Sequence, residues 1–341
     1  MNHTFFILFC IYGLIGNAQV NKNQKLPKQV STIAFGSCAH QNKDLPILTT
    51  VLKEKPDVFI WTGDNIYGNT DDMEDLAAKY QKLGSKPEFK KLNEACPFIA
   101  TWDDHDYAKN DAGGDYEMKA ESKEVFLKFW NDPNDADRRS HEGIYTAYNF
   151  GDMGKHIQII MLDTRYFRTA LLEKGMALSN KLVNTDPNAN VLGNEQWEWL
   201  EAQLKQPADL RLIVSSIQFG ISHNGWEAWA NFPLQQEKMI NLIKTTEANG
   251  VFFISGDAHW GELSLIEKAG QYPLYDITSS GLAKKIGKIS ENTRRIGKGY
   301  NDYNYGLIEI DWKNKQANIS IKNIDGKPVI EKALTFGELS F

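Results

Sequence analysis

Five short apolar runs in this chain each stop at residues that hold metals or phosphate. They are STIAFGSC ending at Cys38, VFIWTGDNIY at Asp64 and Tyr67, PFIATWDDHD at Asp103, Asp104 and His105, IQIIMLDTR at Asp163 and Arg165, and VFFISGDAHW at Asp257 and His259. One carboxylate after a strand means little, because Gly-Asp is a common turn and a neighbouring His is often a packed one. Five such ends point to one polar site, since loops converge at the carboxyl ends of strands in an α/β sheet. A carboxylate such as Asp64 can bridge two cations, and a phenolate such as Tyr67 is a hard oxygen ligand suited to a ferric ion. The chemistry these donors imply is that of a metal-dependent hydrolase.

The WDDHD run carries the most weight. Four consecutive ionisable groups after an apolar strand would cost several kcal/mol if buried without partners. They therefore require solvent, a cation or a working site. Asp104 and His105 are the pair read as ligand and as proton donor or phosphate contact, with Asp103 and Asp106 supporting them. In SGDAHW, period-two alternation would place Asp257 and His259 on one side of an extended segment, a spacing suited to two ligands of one dinuclear centre. LDTRYFR offers Arg165 as a fork for phosphate oxygens, with an Asp–Arg structural pair as the equal alternative. His223, in a tryptophan-rich loop with Trp226 and Trp229, reads equally as a pocket residue or a packed one. Of the other histidines, only His40, beside GSC, draws suspicion; His141 and His156 have no partner motif. The sequence contains no Gly-rich phosphate loop, nucleophile elbow or CxxC pair, which sets aside P-loop, serine-hydrolase and zinc-ribbon chemistry.

These residues need a scaffold that delivers strand ends to one place. Strands at STIAFGSC, VFIWTGD, PFIATWDD, HIQIIMLD, LRLIVSS and VFFISGD alternate with helical patterns at LPILTTVLKEK, about 71–95, about 119–130, NEQWEWLEAQL and LQQEKMINLIKTTEA. GIYTAYNFG reads as a further strand. A run of strands follows (LSLIE, YPLYDITSS, YGLIEID, QANISIK), so helices should pack outside sheet layers. No internal repeat or Pro/Gly-rich linker interrupts residues 30–341, which read as one domain of this 341-residue chain. A net charge of −6 and a pI near 5.7 give no broad basic surface for nucleic acid or anionic lipid. Residues 1–18, MNHTFFILFCIYGLIGNA, read as a signal peptide with its apolar stretch from Phe5 to Ile15 and a cleavage site at Gly16 and Ala18. An uncleaved anchor is the alternative. Residues 19–29 read as a flexible lead-in, and the mature protein as exported, periplasmic or extracellular, without a stable membrane span. Removal of Cys10 leaves Cys38 and Cys96, read as a metal-bound thiolate and a buried, inert thiol and not as a disulfide.

Taken in order, GSC, GDNIY, TWDDHDYAKND, LDTRYFR, LGNEQWEWLEAQL and SGDAHWGEL resemble the PhoD-like alkaline phosphatase/phosphodiesterase family of metallophosphatases, from about Ser31 to about Trp312. The resemblance implies a four-layer α/β/β/α sandwich and a purple-acid-phosphatase-like site with Fe3+ and Ca2+. Carried over by position, Cys38, Asp64, Tyr67 and His259 would be ferric ligands, with Asp64 bridging. Asp104, Asn110 and Asp257 would face calcium. His105 stands where the wider group has a substrate-contacting histidine, Arg165 would contact phosphate, and His105 or Asp106 would protonate the leaving group. Some family members carry a β-sandwich domain ahead of the core; here a catalytic domain alone is expected. The implied reaction is hydrolysis of a phosphate ester, small molecule or lipid, by a metal-activated hydroxide. Two alternatives stand beside it: a phospholipase D-type hydrolase with Trp226 and Trp229 as an apolar wall, and a non-catalytic metal-stabilised binding protein.

Overall fold

In the computed structural model, which describes residues 25–131, 137–175, 179–267 and 272–341, strand and helix alternate as the apolar periodicity requires. In chain order, β1 (Thr32–Gly36), α1 (Pro46–Lys53), β2 (Val58–Thr62), α2 (Met73–Gly84), α3 (Pro87–Ala95), β3 (Phe98–Thr101), a single turn α4 (Asp104–Tyr107) and α5 (Lys119–Phe129) form the first half. Then come β4 (Thr146–Phe150), β5 (Ile157–Met161), α6 (Gly193–Leu204), β6 (Leu210–Val214), α7 (Pro233–Thr245) and β7 (Val251–Ser255). The β-rich remainder is β8 (Gly261–Ile266), β9 (Leu274–Ser279), β10 (Arg295–Tyr300), β11 (Asn304–Asp311), β12 (Gln316–Asn323) and β13 (Pro328–Thr335).

Two mixed sheets result. One runs β13-β12-β11-β1-β2-β3, the other β10-β8-β9-β7-β6-β5-β4. β1, β2 and β3 are parallel in the first, and β5, β6 and β7 in the second. Strand alternation sorts the side chains between two cores. Ile33, Phe35, Val58, Ile60 and Ile99 join the second sheet's strands and α6 and α7 in one core, whereas Ala34, Phe59, Trp61 and Ala100 meet α1, α2, α3 and α5 in the other. Helices therefore flank a pair of sheets, the α/β sandwich expected. The parallel strands of both sheets release their loops toward a common region.

Three local expectations need correction. The helical stretch at 71–95 is two helices, because Pro87 can begin a helix and cannot continue one. Asp72 caps the first of them, accepting from the N–H groups of Glu74 and Asp75 at 2.9 and 3.3 Å. β10 and β13 were not legible: both are sheet-edge strands with exposed, weakly alternating side chains. SGDAHW is not extended beyond Ser255, as described below. The signal peptide and residues 19–24 of the lead-in lie outside the described residues. Among the described residues no helix is long and apolar enough to cross a membrane.

Candidate metal centre

The turns after β1, β2 and β7 share an uncommon backbone. Cys38, Asp64, Asp257 and His259 all adopt positive φ, at 56°, 50°, 64° and 64°. L-residues disfavour this left-handed region, and clusters of it mark sites where the fold imposes a side-chain direction. The two donors after β7 thus reach one site through left-handed kinks and not through strand alternation. Gly63 (φ 101°) makes the β2 turn possible: a Cβ there would sit 2.7 Å from that of Asp103.

The donors converge. Cys38 Sγ lies 3.5 Å from Asp64 Oδ2, and Tyr67 Oη lies 3.0 Å from the same oxygen and 3.1 Å from His259 Nε2. Beside a group of Asp104, Asp111 and Glu227, three overlapping groups have ligand atoms within 4.8 Å of one another: Cys38, Asp64 and His259; Asp64, Asp104 and His105; and Asp64, Asp103, Asp104 and Asp257. Asp64 belongs to all three. Both sheets contribute, with Asp64 and Asp104 from the first and Asp257 and His259 from the second.

Electrostatics show what this arrangement lacks. Burial, reinforced by Asp104, Asp103 and Asp257, drives the Asp64 carboxyl well above the usual carboxylate range. Asp257 is raised in the same way, by burial and then by Asp103 and Asp104. Burial, with Asp64 and Asp257, also raises the Cys38 thiol, and burial with Asp64 raises the Tyr67 phenol. Burial and Lys284 lower His259 to about 4. Among the carboxyls of these three groups Asp104 alone falls below its ordinary range: burial opposes this, but His105, Arg165 and the Asp111 N–H, donated at 2.6 Å, prevail. Asp64 Oδ1 and Asp103 Oδ2 are buried and accept no hydrogen bond. Buried acceptors without donors are costly. The thiol, the phenol and the Asp64 and Asp257 carboxyls are all pushed toward neutrality, by burial first and then by their acidic neighbours. A cation is the species that satisfies the orphan oxygens and reverses these shifts, so the mixed S, N and O donor set fits a metal.

Not every residue expected at the centre faces it. Asn110 lies exposed at the rim, its amide donating to Asp111 at 2.7 Å. Asp106 is fully buried and accepts from the Asp103 N–H at 2.6 Å and the Asn65 amide at 2.5 Å, with burial raising it to about 8. Arg165 is also fully enclosed, its guanidinium 2.6 Å from Asp103 and 2.7 Å from Glu227. Both point into the protein, so neither the proton-donor reading of Asp106 nor the phosphate-contact reading of Arg165 fits this geometry. Asp163 accepts from Trp102 Nε1 and from the N–H groups of Ile144, Arg165 and Tyr166, which makes it the anchor of its turn. Arg168 joins Glu227 at 2.9 Å and holds the Asp111 carbonyl. His223 contacts the Lys181 carbonyl at 2.9 Å, away from the donors. Trp229 is buried in the core beside Trp197 and Phe219, so it forms no apolar wall; Trp226 is half-buried.

His105 stands at the mouth of the cluster, Nδ1 2.6 Å from Asn69 Oδ1, its ring centroid 4.3 Å from that of Tyr67. His40 stacks on the same ring at 4.9 Å, with burial and then Lys43 lowering it to about 4. Cys38 and Cys96 are both free and buried, and burial raises Cys96 to about 12. Sequence reasoning missed Glu227, Ser280 and Lys284. Ser280 Oγ lies 3.1 Å from Cys38 Sγ and accepts from the His259 N–H at 2.8 Å. Glu227 and Lys284 end no apolar run, and Ser280, which closes YPLYDITSS, is a residue type common at strand ends.

Known proteins share this arrangement of elements. Alkaline phosphatase D of Bacillus subtilis (strain 168) is 26% identical over 273 residues, which cover 67% of this chain and 46% of that protein. The chain thus spans about half the length of this curated relative. Among solved structures, that of PhoD superposes with a TM-score of 0.70 at 19% identity, covering 91% of this chain and 69% of its own. Purple acid phosphatase PPD1 from yellow lupin (Lupinus luteus) seeds gives a TM-score of 0.62 at 12% identity, covering 91% of this chain and 55% of its own. These structural likenesses establish a metallophosphatase-like fold. The PhoD-like phosphatase family matches residues 33–279, well over half of the chain. The chain belongs to the PhoD-like phosphatase family.

Proposed function

We propose that this protein is an exported, metal-dependent phosphoric ester hydrolase with an iron–calcium centre. The observation that carries the reading is the convergence of Cys38, Asp64, Tyr67, Asp104, Asp257 and His259 from both sheets around Asp64, with buried oxygens left for a cation. Cys38, Asp64, Tyr67 and His259 would hold the ferric ion. Asp64, Asp104 and Asp257 would hold calcium, with Asn110 at the rim of that side. Bound there, the cations would supply positive charge for phosphoryl oxygens and lower the pKa of water enough for hydrolysis near neutral pH.

The chain's own residues do the rest. His105, its Nδ1–H held by Asn69 Oδ1, would present Nε2 to the substrate and, as the imidazolium, would give its Nε2 proton to the leaving oxygen. Asp106 and Arg165 act as positioning residues: the first fixes the turn that carries Asp104 and His105, and the second fixes Asp103 beside Asp64. Cys38 serves as a ligand and not as a nucleophile. The internal place of Trp229 leaves only the half-buried Trp226 of the wall the lipid-hydrolase alternative calls for, which favours a small phosphate ester.

The test is metal content of the purified mature protein, with hydrolysis of p-nitrophenyl phosphate and bis-p-nitrophenyl phosphate, with and without chelator. Iron and calcium should be present and turnover should stop on chelation. Asp64→Asn should lose metal and turnover together. Full metal content and full turnover in that variant would overturn the assignment. Protein recovered from the periplasm or the medium should begin at residue 19.

A further inference from the structure

Arg165 is committed to two carboxylates, so a phosphate at this centre would take a side-chain cation from elsewhere. The segment after β9 provides one. Leu282 and Ala283 donate their N–H groups to the carbonyls of Ser37 and Cys38 at 3.2 and 3.0 Å, and Lys43 Nζ donates to the Ala283 carbonyl at 3.0 Å. These bonds tie the next residue, Lys284, to the loop that carries Cys38. Its ammonium lies 3.6 Å from the centroid of the Tyr67 ring, whose hydroxyl contacts Asp64 and His259. Lys284 is half-buried, and no carboxylate of the described residues pairs with it. Lys285, next in sequence, is exposed and pairs with Asp302 at 3.3 Å. A partly buried ammonium parked on an aromatic face retains hydrogen-bonding capacity that an anion can take up.

We propose that Lys284 contacts the substrate phosphate at the mouth of this centre and biases the enzyme toward phosphomonoesters. The inference rests on the phosphate-ester reading above. At neutral pH a monoester carries nearly one more negative charge than a diester, and an adjacent ammonium favours the more highly charged ion. Tyr67, His40, His105 and Lys284 thus form a rim in which lysine supplies the ammonium.

Lys284→Met and Lys284→Arg in the metal-loaded full chain test this. For Lys284→Met, kcat/KM on p-nitrophenyl phosphate should fall about tenfold more than on bis-p-nitrophenyl phosphate, a difference of about 1.4 kcal/mol. Inorganic phosphate, titrated calorimetrically, should bind about tenfold more weakly, with metal content unchanged. Lys284→Arg should restore most of both. Phosphate affinity within twofold of the parent protein would overturn the contact, and so would loss of metal from Lys284→Met, which would mark a structural role. An equal fall on both esters would overturn the preference. Lys284-dependent phosphate binding in a protein that cleaves neither ester would uphold the contact while removing the hydrolase reading.

Discussion

Arg165 is enclosed between Asp103 and Glu227, and Arg168 shares the Glu227 carboxylate from the other side. Ser216 Oγ adds a donor to Asp103 at 2.5 Å. Burial raises Asp103 to about 7 even though Arg165 pulls it down, so the guanidinium is what allows this carboxylate to exist beside Asp64. Removing one member of a buried ion pair leaves the other charge unpaired in a poorly solvating place. Arg165→Met should therefore destabilise the protein by about 3–5 kcal/mol, read as a shift of the urea unfolding midpoint. Arg165→Lys should fall between, since it restores a charge but not the two-sided fork. A loss below about 1 kcal/mol for Arg165→Met would show that Asp103 and Glu227 find other partners. The sequence offered both a phosphate contact and an Asp–Arg pair for this residue. The pair formed, but with Asp103 and not with the neighbouring Asp163, whose acceptors are taken by backbone and by Trp102. That choice brings together turn residues 62 positions apart, which no local motif encodes.

Strand ends were the legible elements, because a buried parallel strand is an unbroken apolar run and its end is where polarity returns. The five runs that opened onto Cys38, Asp64, Asp104, Asp163 and Asp257 end where the sequence says they do. The direction of the side chains beyond those ends was not legible: left-handed φ at Cys38, Asp64, Asp257 and His259 is imposed by tertiary contacts, and the edge strands β10 and β13 lack a buried face to write alternation into the sequence. Asp276, inside β9, went unnoticed for the opposite reason, as a polar residue within a strand. It accepts from the N–H groups of Phe219 and Gly220 and from Ser255 Oγ, each at 2.8 Å, joining β9 to the loop after β6 and to β7. Burial raises it from 3.8 to about 6. The folded protein therefore keeps this proton between pH about 4 and about 6, where the unfolded chain has released it. With more protons bound in the folded state, stability from this group is fully present below pH 4 and is lost as pH rises toward 6. Asp276→Asn keeps an acceptor for both N–H groups and removes the titration. The stability of the variant relative to the parent should rise across that window by about 3 kcal/mol, on an order-of-magnitude reckoning, and stay level above it. Urea midpoints at pH 4, 5, 6 and 7 measure this, and parallel curves for the two proteins would refute it.

At the scale of the whole molecule the centre is a junction between two sheets. Cys38, Asp64 and Asp104 follow β1, β2 and β3 of one sheet, while Asp257 and His259 follow β7 of the other. The apolar core between the sheets closes the sandwich without the centre, since Ile33, Phe35 and Ile60 pack with the second sheet's strands in one continuous cluster. Cation binding adds to that closure, because a metal that binds only the folded chain stabilises it by mass action, about 4 kcal/mol when free metal is a thousandfold above Kd. Chelation should lower the melting temperature of the parent protein, and restoring the metal it was purified with should recover it. Asp64→Asn controls for chelator acting elsewhere: without the carboxylate common to the three donor groups it should melt near the chelated parent and shift little when chelator is added. Its own melting point also separates two opposing effects. Removing one carboxylate from a crowded acidic cluster relieves repulsion when no metal is present, so chelated Asp64→Asn should be at least as stable as the chelated parent. If the parent instead melts at one temperature with and without bound metal, the two sheets hold these donors in place unaided, and the cation serves the reaction alone.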